Sequence, residues 1–177
     1  TDEITALDKL GSVADAFLVN NRAIEGRYDD SVLRVLNAGS AGSLVQFIRR
    51  ARGYAPLPLT VAGRDAINSN TDENAAENKA SIGASTEAKT SSGETILAVG
   101  PEQKNTFTYA RSEKAFVSQH IGDMESVAVM DAWQETRGRY EQLFRLQPTR
   151  LVCDYHPEYL TSKWAHEQAR EQGLPLV

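Results

Sequence analysis

The sequence predicts a mixed α/β fold built in two unequal pieces, and three observations carry that prediction. Short β-rich runs punctuated by turn residues lie between residues 16 and 48. After residue 95, period-two runs give way to helical periodicity and back again. Between them, from about Gly63 to Glu94, the chain is rich in Ser, Thr, Asn, Ala and Glu, has no aromatic residue, and offers only Ile67 and Ile82 as large apolar side chains. Such a stretch buries too little apolar surface to offset its ordering entropy. It is also longer than the ~15 residues usual for a structureless loop inside a domain. Residues 63–94 therefore read as a low-complexity linker between a partial sheet at 1–62 and a strand-and-helix unit at 95–177.

The first piece opens with a short amphipathic helix, in which Ala6, Leu10 and Val13 recur at helical spacing. Three strands are expected next, at Ala16–Val19, Ser31–Leu36 and Leu44–Ile48. The run Asn37-Ala38-Gly39-Ser40-Ala41-Gly42 supplies a hairpin loop between the last two. Pro56 and Pro58 in the segment Arg49–Leu59 favour an extended exit from that sheet.

In the second piece, strands are expected at Thr95–Val99, Asn105–Ala110 and Ala115–Ser118, the last two joined by the turn Arg111-Ser112-Glu113-Lys114. A long helix follows from about Ser126 to Leu146, with Val127, Met130, Trp133, Tyr140 and Phe144 on or near one face as core. Pro148 ends it, Leu151-Val152-Cys153 forms a buried strand, and Tyr159–Gln172 forms a helix closed by Gly173. Leu174–Val177 reads as the start of a further strand, so the chain is expected to be part of something longer. The order strand, strand, strand, helix, strand, helix, strand suits one lobe of the actin-like and sugar-kinase architecture, where a hairpin near the start of the lobe wraps nucleotide phosphates.

Bulk properties narrow the function classes. A net charge of −5 argues against a general nucleic-acid binder, which needs an excess of Lys and Arg to neutralise phosphates. No stretch approaches the ~20 apolar residues that cross a bilayer, and the chain reads as cytoplasmic with small-molecule or protein partners. The single cysteine, Cys153, excludes an internal disulfide framework and reads as a small buried hydrophobe. His120, His156 and His166 stand at no ligand spacing such as His-x-x-x-His, so no metal site is assigned.

The most informative run is Leu97-Ala98-Val99-Gly100-Pro101-Glu102-Gln103-Lys104-Asn105-Thr106-Phe107. An apolar strand enters a Gly-Pro turn, and Lys104, Asn105 and Thr106 gather where the next strand begins. A phosphate oxygen suits that place, through the ammonium and backbone N–H donors; polar residues starting an edge strand are the plainer reading. Paired acids such as Asp29 and Asp30 most often cap a turn.

Five segments in one order, Asp29-Asp30-Ser31-Val32, Arg49–Pro56, Lys104–Phe107, Ser118-Gln119-His120-Ile121-Gly122-Asp123 and Cys153–Tyr159, resemble the HypF-type hydrogenase maturation carbamoyltransferases. The resemblance covers nearly the whole chain except the linker. It implies that residues 1–62 are the end of a YrdC-like domain and residues 95–177 the beginning of an ASKHA-type carbamoyl-transfer domain. It also implies ATP with Mg, carbamoyl phosphate, and a HypE-type maturation protein that receives the carbamoyl group on its C-terminal cysteine. Zinc or iron would be held by residues absent from this chain. An antibiotic O-carbamoyltransferase shares the two domains, and a non-catalytic nucleotide- or partner-binding remnant is the alternative from a different class.

Under this resemblance Lys104, Asn105 and Thr106 contact nucleotide phosphate, and Ser31, Arg50 and Arg52 hold an adenylate phosphate. Arginines that cover a sheet edge are the alternative for the last two. Asp154 and His156, at the C-terminal end of a buried strand where α/β sheets place ligands, orient the carbamoyl group or a metal-bound water, or else serve a helix cap and packing under Pro157. His120 lies near the transfer pocket, or is a hydrogen-bonded loop residue.

Overall fold

The computed structural model describes residues 3–19, 21–22, 25–37, 39, 42–61 and 93–177. Helix α1 covers Glu3–Leu10. Strands β1 (Val32–Asn37) and β2 (Ser43–Arg49) then pair antiparallel, with Val35 opposite Val45. Their valines and leucines face outward on both sides of the hairpin. The expected strand at Ala16–Val19 does not form. Leu18 and Val19 are exposed, and β propensity without a neighbouring strand to pair with gives no ladder.

The segment after β2 is also not extended. Tyr54 N–H and Ala55 N–H both bond Ala51 O, and Leu57 N–H bonds Tyr54 O, so residues 51–57 wind through successive turns around the fully buried Ala51. That winding delivers β3 (Leu59–Thr60), which was not foreseen, to the edge of the larger sheet. The sheet contains β4 (Thr95–Ala98), β5 (Thr108–Arg111), β6 (Lys114–Val117) and β7 (Arg150–Val152) as well, in the order β3-β6-β5-β4-β7. All neighbours are antiparallel except β4 and β7. Residues 175–177 extend it further along β7, where Leu151 and Cys153 N–H bond Pro175 and Val177 carbonyls and Val177 N–H returns to Leu151.

Two helices cover this sheet. Helix α2 (Val127–Phe144) starts at Ser126, whose hydroxyl accepts the Val129 N–H, and stops at Arg145 in the left-handed region. The guanidinium of Arg111 on β5 donates to the terminal carbonyls of Phe144 and Arg145, satisfying acceptors that a helix end leaves open. Helix α3 (Leu160–Gln172) ends at Gly173, as its position after the periodic run predicts. The core between helices and sheet is aromatic: Phe107 meets Tyr109, Trp133 and Tyr140 edge to face, and Trp133 meets Trp164 of α3 the same way. Trp133, Tyr140, Met130 and Phe144 take the expected core side of α2, whereas Val127 in its first turn is 77% exposed and lies outside the core. Residues 62–92, and with them nearly all of the expected linker, lie outside the described residues. Among the described residues, no helix is long and apolar enough to cross a membrane.

Candidate functional site

The Gly-Pro turn after β4 is held from every side. Gly100 has φ +77°, and a Cβ there would overlap the Thr106 carbonyl oxygen, so only glycine lets the two limbs close. Asn105 is fully buried. Its amide nitrogen donates to Val99 O at 3.1 Å and Pro101 O at 2.6 Å, and its backbone N–H bonds Gly122 O. Lys104 adopts φ 51°, with its N–H on Asp123 Oδ1 at 2.7 Å, and its side chain is exposed. The backbone N–H groups of residues 104 and 105 are thus already bonded within the protein. A phosphate at this turn is left with the Lys104 ammonium, not with those two amides. The Asn105 amide nitrogen likewise belongs to the turn, and Thr106 is half-buried beside it.

A second cluster joins the segments on either side of residues 62–92. The Arg50 guanidinium donates to the carbonyls of Val117 (3.0 Å), Tyr54 (2.8 Å) and Leu57 (2.6 Å), and Arg50 O accepts the His120 N–H. Ser31 Oγ accepts the Ala51 N–H and donates to Arg52 O, while Arg52 pairs with Asp30 at 2.6 Å on the surface. Arg50 is therefore not a solvated edge charge but a cross-brace, and it and Ser31 bond backbone groups. Of the three expected adenylate contacts, only Arg52 presents an exposed cationic head.

His120 lines a small cavity of about 20 Å³ with Arg27, Asp29, Gln119 and Thr136, room on the scale of one water molecule. Burial pushes its imidazole below the ordinary value, helped by Arg49 and Lys104 and opposed by Asp29 and Asp123. The unfolded chain takes up the proton more readily, so this contribution is present above the ordinary histidine pKa and is lost as pH falls through the folded value. Urea denaturation of His120→Gln between about pH 7 and 5 should show a flatter loss of stability than the wild-type chain.

After β7, whose C-terminal end lies beside that of its parallel neighbour β4, Asp154 Oδ1 accepts the His156 N–H at 3.0 Å, His156 Nδ1 accepts the Glu158 N–H, and the imidazole stacks on Tyr159 at 4.3 Å. Asp154 thus closes a turn rather than capping α3. Cys153 is half-buried and its thiol is pushed up by burial, as befits a packed side chain. The cap of α3 comes instead from Glu102, whose Oε2 accepts the Leu160 N–H at 2.9 Å.

The structure therefore links Lys104, Asn105, Thr106 and His120 through the 100–106 and 118–123 loops. It ties these to Ser31, Arg50 and Arg52 through the His120–Arg50 backbone bond. Asp154 and His156 form a separate turn, connected to the first group by the Glu102–Leu160 bond and by Thr161 Oγ1 donating to Gly100 O at 3.0 Å. Glu102 and Thr161 were missed; the absence of a Ser, Thr, Asp or Asn before Leu160 was the signal that the cap must come from elsewhere. Among the described residues, no group of three or more His, Cys, Asp or Glu is placed to hold a metal ion.

Residues 91–177, which include this glycine turn, match the profile of the HypF Kae1-like domain. Carbamoyltransferase HypF2 of Cupriavidus necator is 34% identical over 172 residues, 97% of this chain and 18% of that protein. Carbamoyltransferase HypF of Synechocystis sp. is also 34% identical, over 99% of this chain and 18% of its own length. A crystal structure of full-length HypF in the phosphate- and nucleotide-bound form superposes with a TM-score of 0.71 at 35% identity, covering 99% of this chain and 22% of that one. HypF from T. kodakarensis superposes at 0.72 with 30% identity, over 99% and 19% of the two chains. The chain belongs to the HypF family, and it spans 18% to 22% of the length of these four relatives.

Proposed function

We propose that this chain is a segment of an ATP-dependent carbamoyltransferase, acting in the cytoplasm. The parent activity activates the carbamoyl group of carbamoyl phosphate as an adenylate and passes it to the C-terminal cysteine of a HypE-type partner, toward the cyanide ligand of nickel–iron hydrogenases. The observation that carries the reading is 34% identity, over 97% and 99% of the chain, to two carbamoyltransferases. The braced Gly100–Thr106 turn adds chemical sense. It fixes the Lys104 backbone without using its ammonium, which leaves a positioned cation for a nucleotide phosphate. Arg52 is the matching cation on the other piece. Magnesium would travel with ATP, and His120, Asp154 and His156 are proposed to face the transferred group rather than a metal.

The test uses the chain extended at both ends to the length of its relatives. AMP should be released from ATP only when carbamoyl phosphate is present, and release indifferent to carbamoyl phosphate overturns the reading. In the same protein, Lys104→Ala should weaken ATP binding roughly tenfold in calorimetric titration, the loss of about one charge-assisted hydrogen bond.

A further inference from the structure

We infer that Glu102 is a positioning residue for nucleotide binding: it clamps the Lys104 turn to the first turn of α3, so that the loop carrying the cation and the segment after β7 move as one body. This rests on the phosphate reading of Lys104. Helix α3 begins without a cap of its own. Tyr159 makes no side-chain cap bond and the first turn contains no acidic residue. Its leading N–H groups therefore need an acceptor from outside the helix. Glu102 supplies it, with Oε2 on the Leu160 N–H at 2.9 Å, a charge-assisted bond at the positive end of the helix dipole. The same residue's carbonyl accepts the Met124 N–H at 2.8 Å, from the loop whose Asp123 carboxylate fixes the Lys104 backbone.

The neighbouring bonds point the same way. Thr161 Oγ1 donates to Gly100 O at 3.0 Å, one residue along α3 and two residues back along the turn. The turn is thus stapled to α3 twice, by Glu102 and Thr161, and to itself by Asn105. Lys104 sits two residues past Glu102 in a left-handed conformation that lysine adopts only when its surroundings impose it. Loss of the Glu102 clamp frees the limb that carries it.

The experiment uses the chain at the length of its relatives, with ATP titration and thermal melting side by side. Glu102→Ala should weaken ATP binding about fivefold, the scale of one lost helix cap. Glu102→Gln keeps an acceptor for the Leu160 N–H and should restore most of that affinity. Thr161→Val, which removes the second staple, should weaken ATP binding in the same direction as Glu102→Ala. A Glu102→Ala protein that melts lower yet binds ATP as the wild type does has lost only a structural cap, and the inference fails. It fails equally if the Gln variant binds as poorly as the Ala variant. Lys104→Ala separates the two claims: unchanged ATP affinity there removes the phosphate reading, whereas a tenfold loss with Glu102→Ala unaffected leaves that reading standing and removes the clamp.

Discussion

Gly100→Ala should destabilise the chain by roughly 3 kcal/mol, from a left-handed backbone penalty of about 1–2 kcal/mol and an overpacking cost of similar size. The contact leaves no escape. The added Cβ would overlap the Thr106 carbonyl oxygen and meet the Asn105 amide nitrogen at 2.9 Å, and the first of these is backbone pinned into the turn. Gly53 supplies the control, since it has φ +90° but nothing within 4 Å of the place a Cβ would take. Gly53→Ala should lose only the conformational part, about 1 kcal/mol. Urea denaturation of the two variants compares them directly, and equal losses would show that the close approach to Thr106 carries no energy. Because the limbs that Gly100 allows to close are those that hold Lys104, the same substitution should also abolish the proposed phosphate contact.

That turn illustrates what was legible in the sequence and what was not. Local signals were strong where one residue type answers one backbone need. Gly173 ends α3, the hairpin of β5 and β6 turns where Arg111–Lys114 offers turn residues, and the aromatic spacing along α2 marks its core side. Elements failed where the decision is made by a partner far along the chain. The Ala16–Val19 run has β propensity but, among the described residues, no strand beside it, and β3 is only two residues long and exists because β6, far down the chain, offers an edge, with Leu59 lying opposite Ala115. Candidate site residues divided in the same way. Lys104 and Arg52 present exposed cations, whereas Arg50, Asn105 and Ser31 bond backbone groups that no local pattern could have named. Polar residues in a motif are as readily needed to hold a loop as to touch a ligand, and sequence spacing does not separate the two uses.

Trp133→Ala should be the most damaging core substitution, costing about 3–5 kcal/mol in urea or thermal denaturation. Trp133 is fully buried and packs edge to face on Phe107 at 5.7 Å and on Trp164 at 4.8 Å, so it is the side chain through which β5's approach, α2 and α3 meet. Its truncation leaves a void that three elements would have to collapse to fill. Trp133→Phe makes a sharper test. Among the described residues the indole Nε1 is buried without a hydrogen-bond partner, an arrangement that costs about 1–3 kcal/mol of desolvation that phenylalanine does not bear. That relief offsets part of the lost area and aromatic contact, and the Phe variant should lose less than half of what the Ala variant loses. Equal losses would mean that the indole N–H is satisfied and that its polarity, not its bulk, holds the core. The consequence reaches the site, because Trp164 anchors the helix whose first turn Glu102 caps. A core loosened at Trp133 lets α3 shift against the sheet, and with it the turn that fixes Lys104.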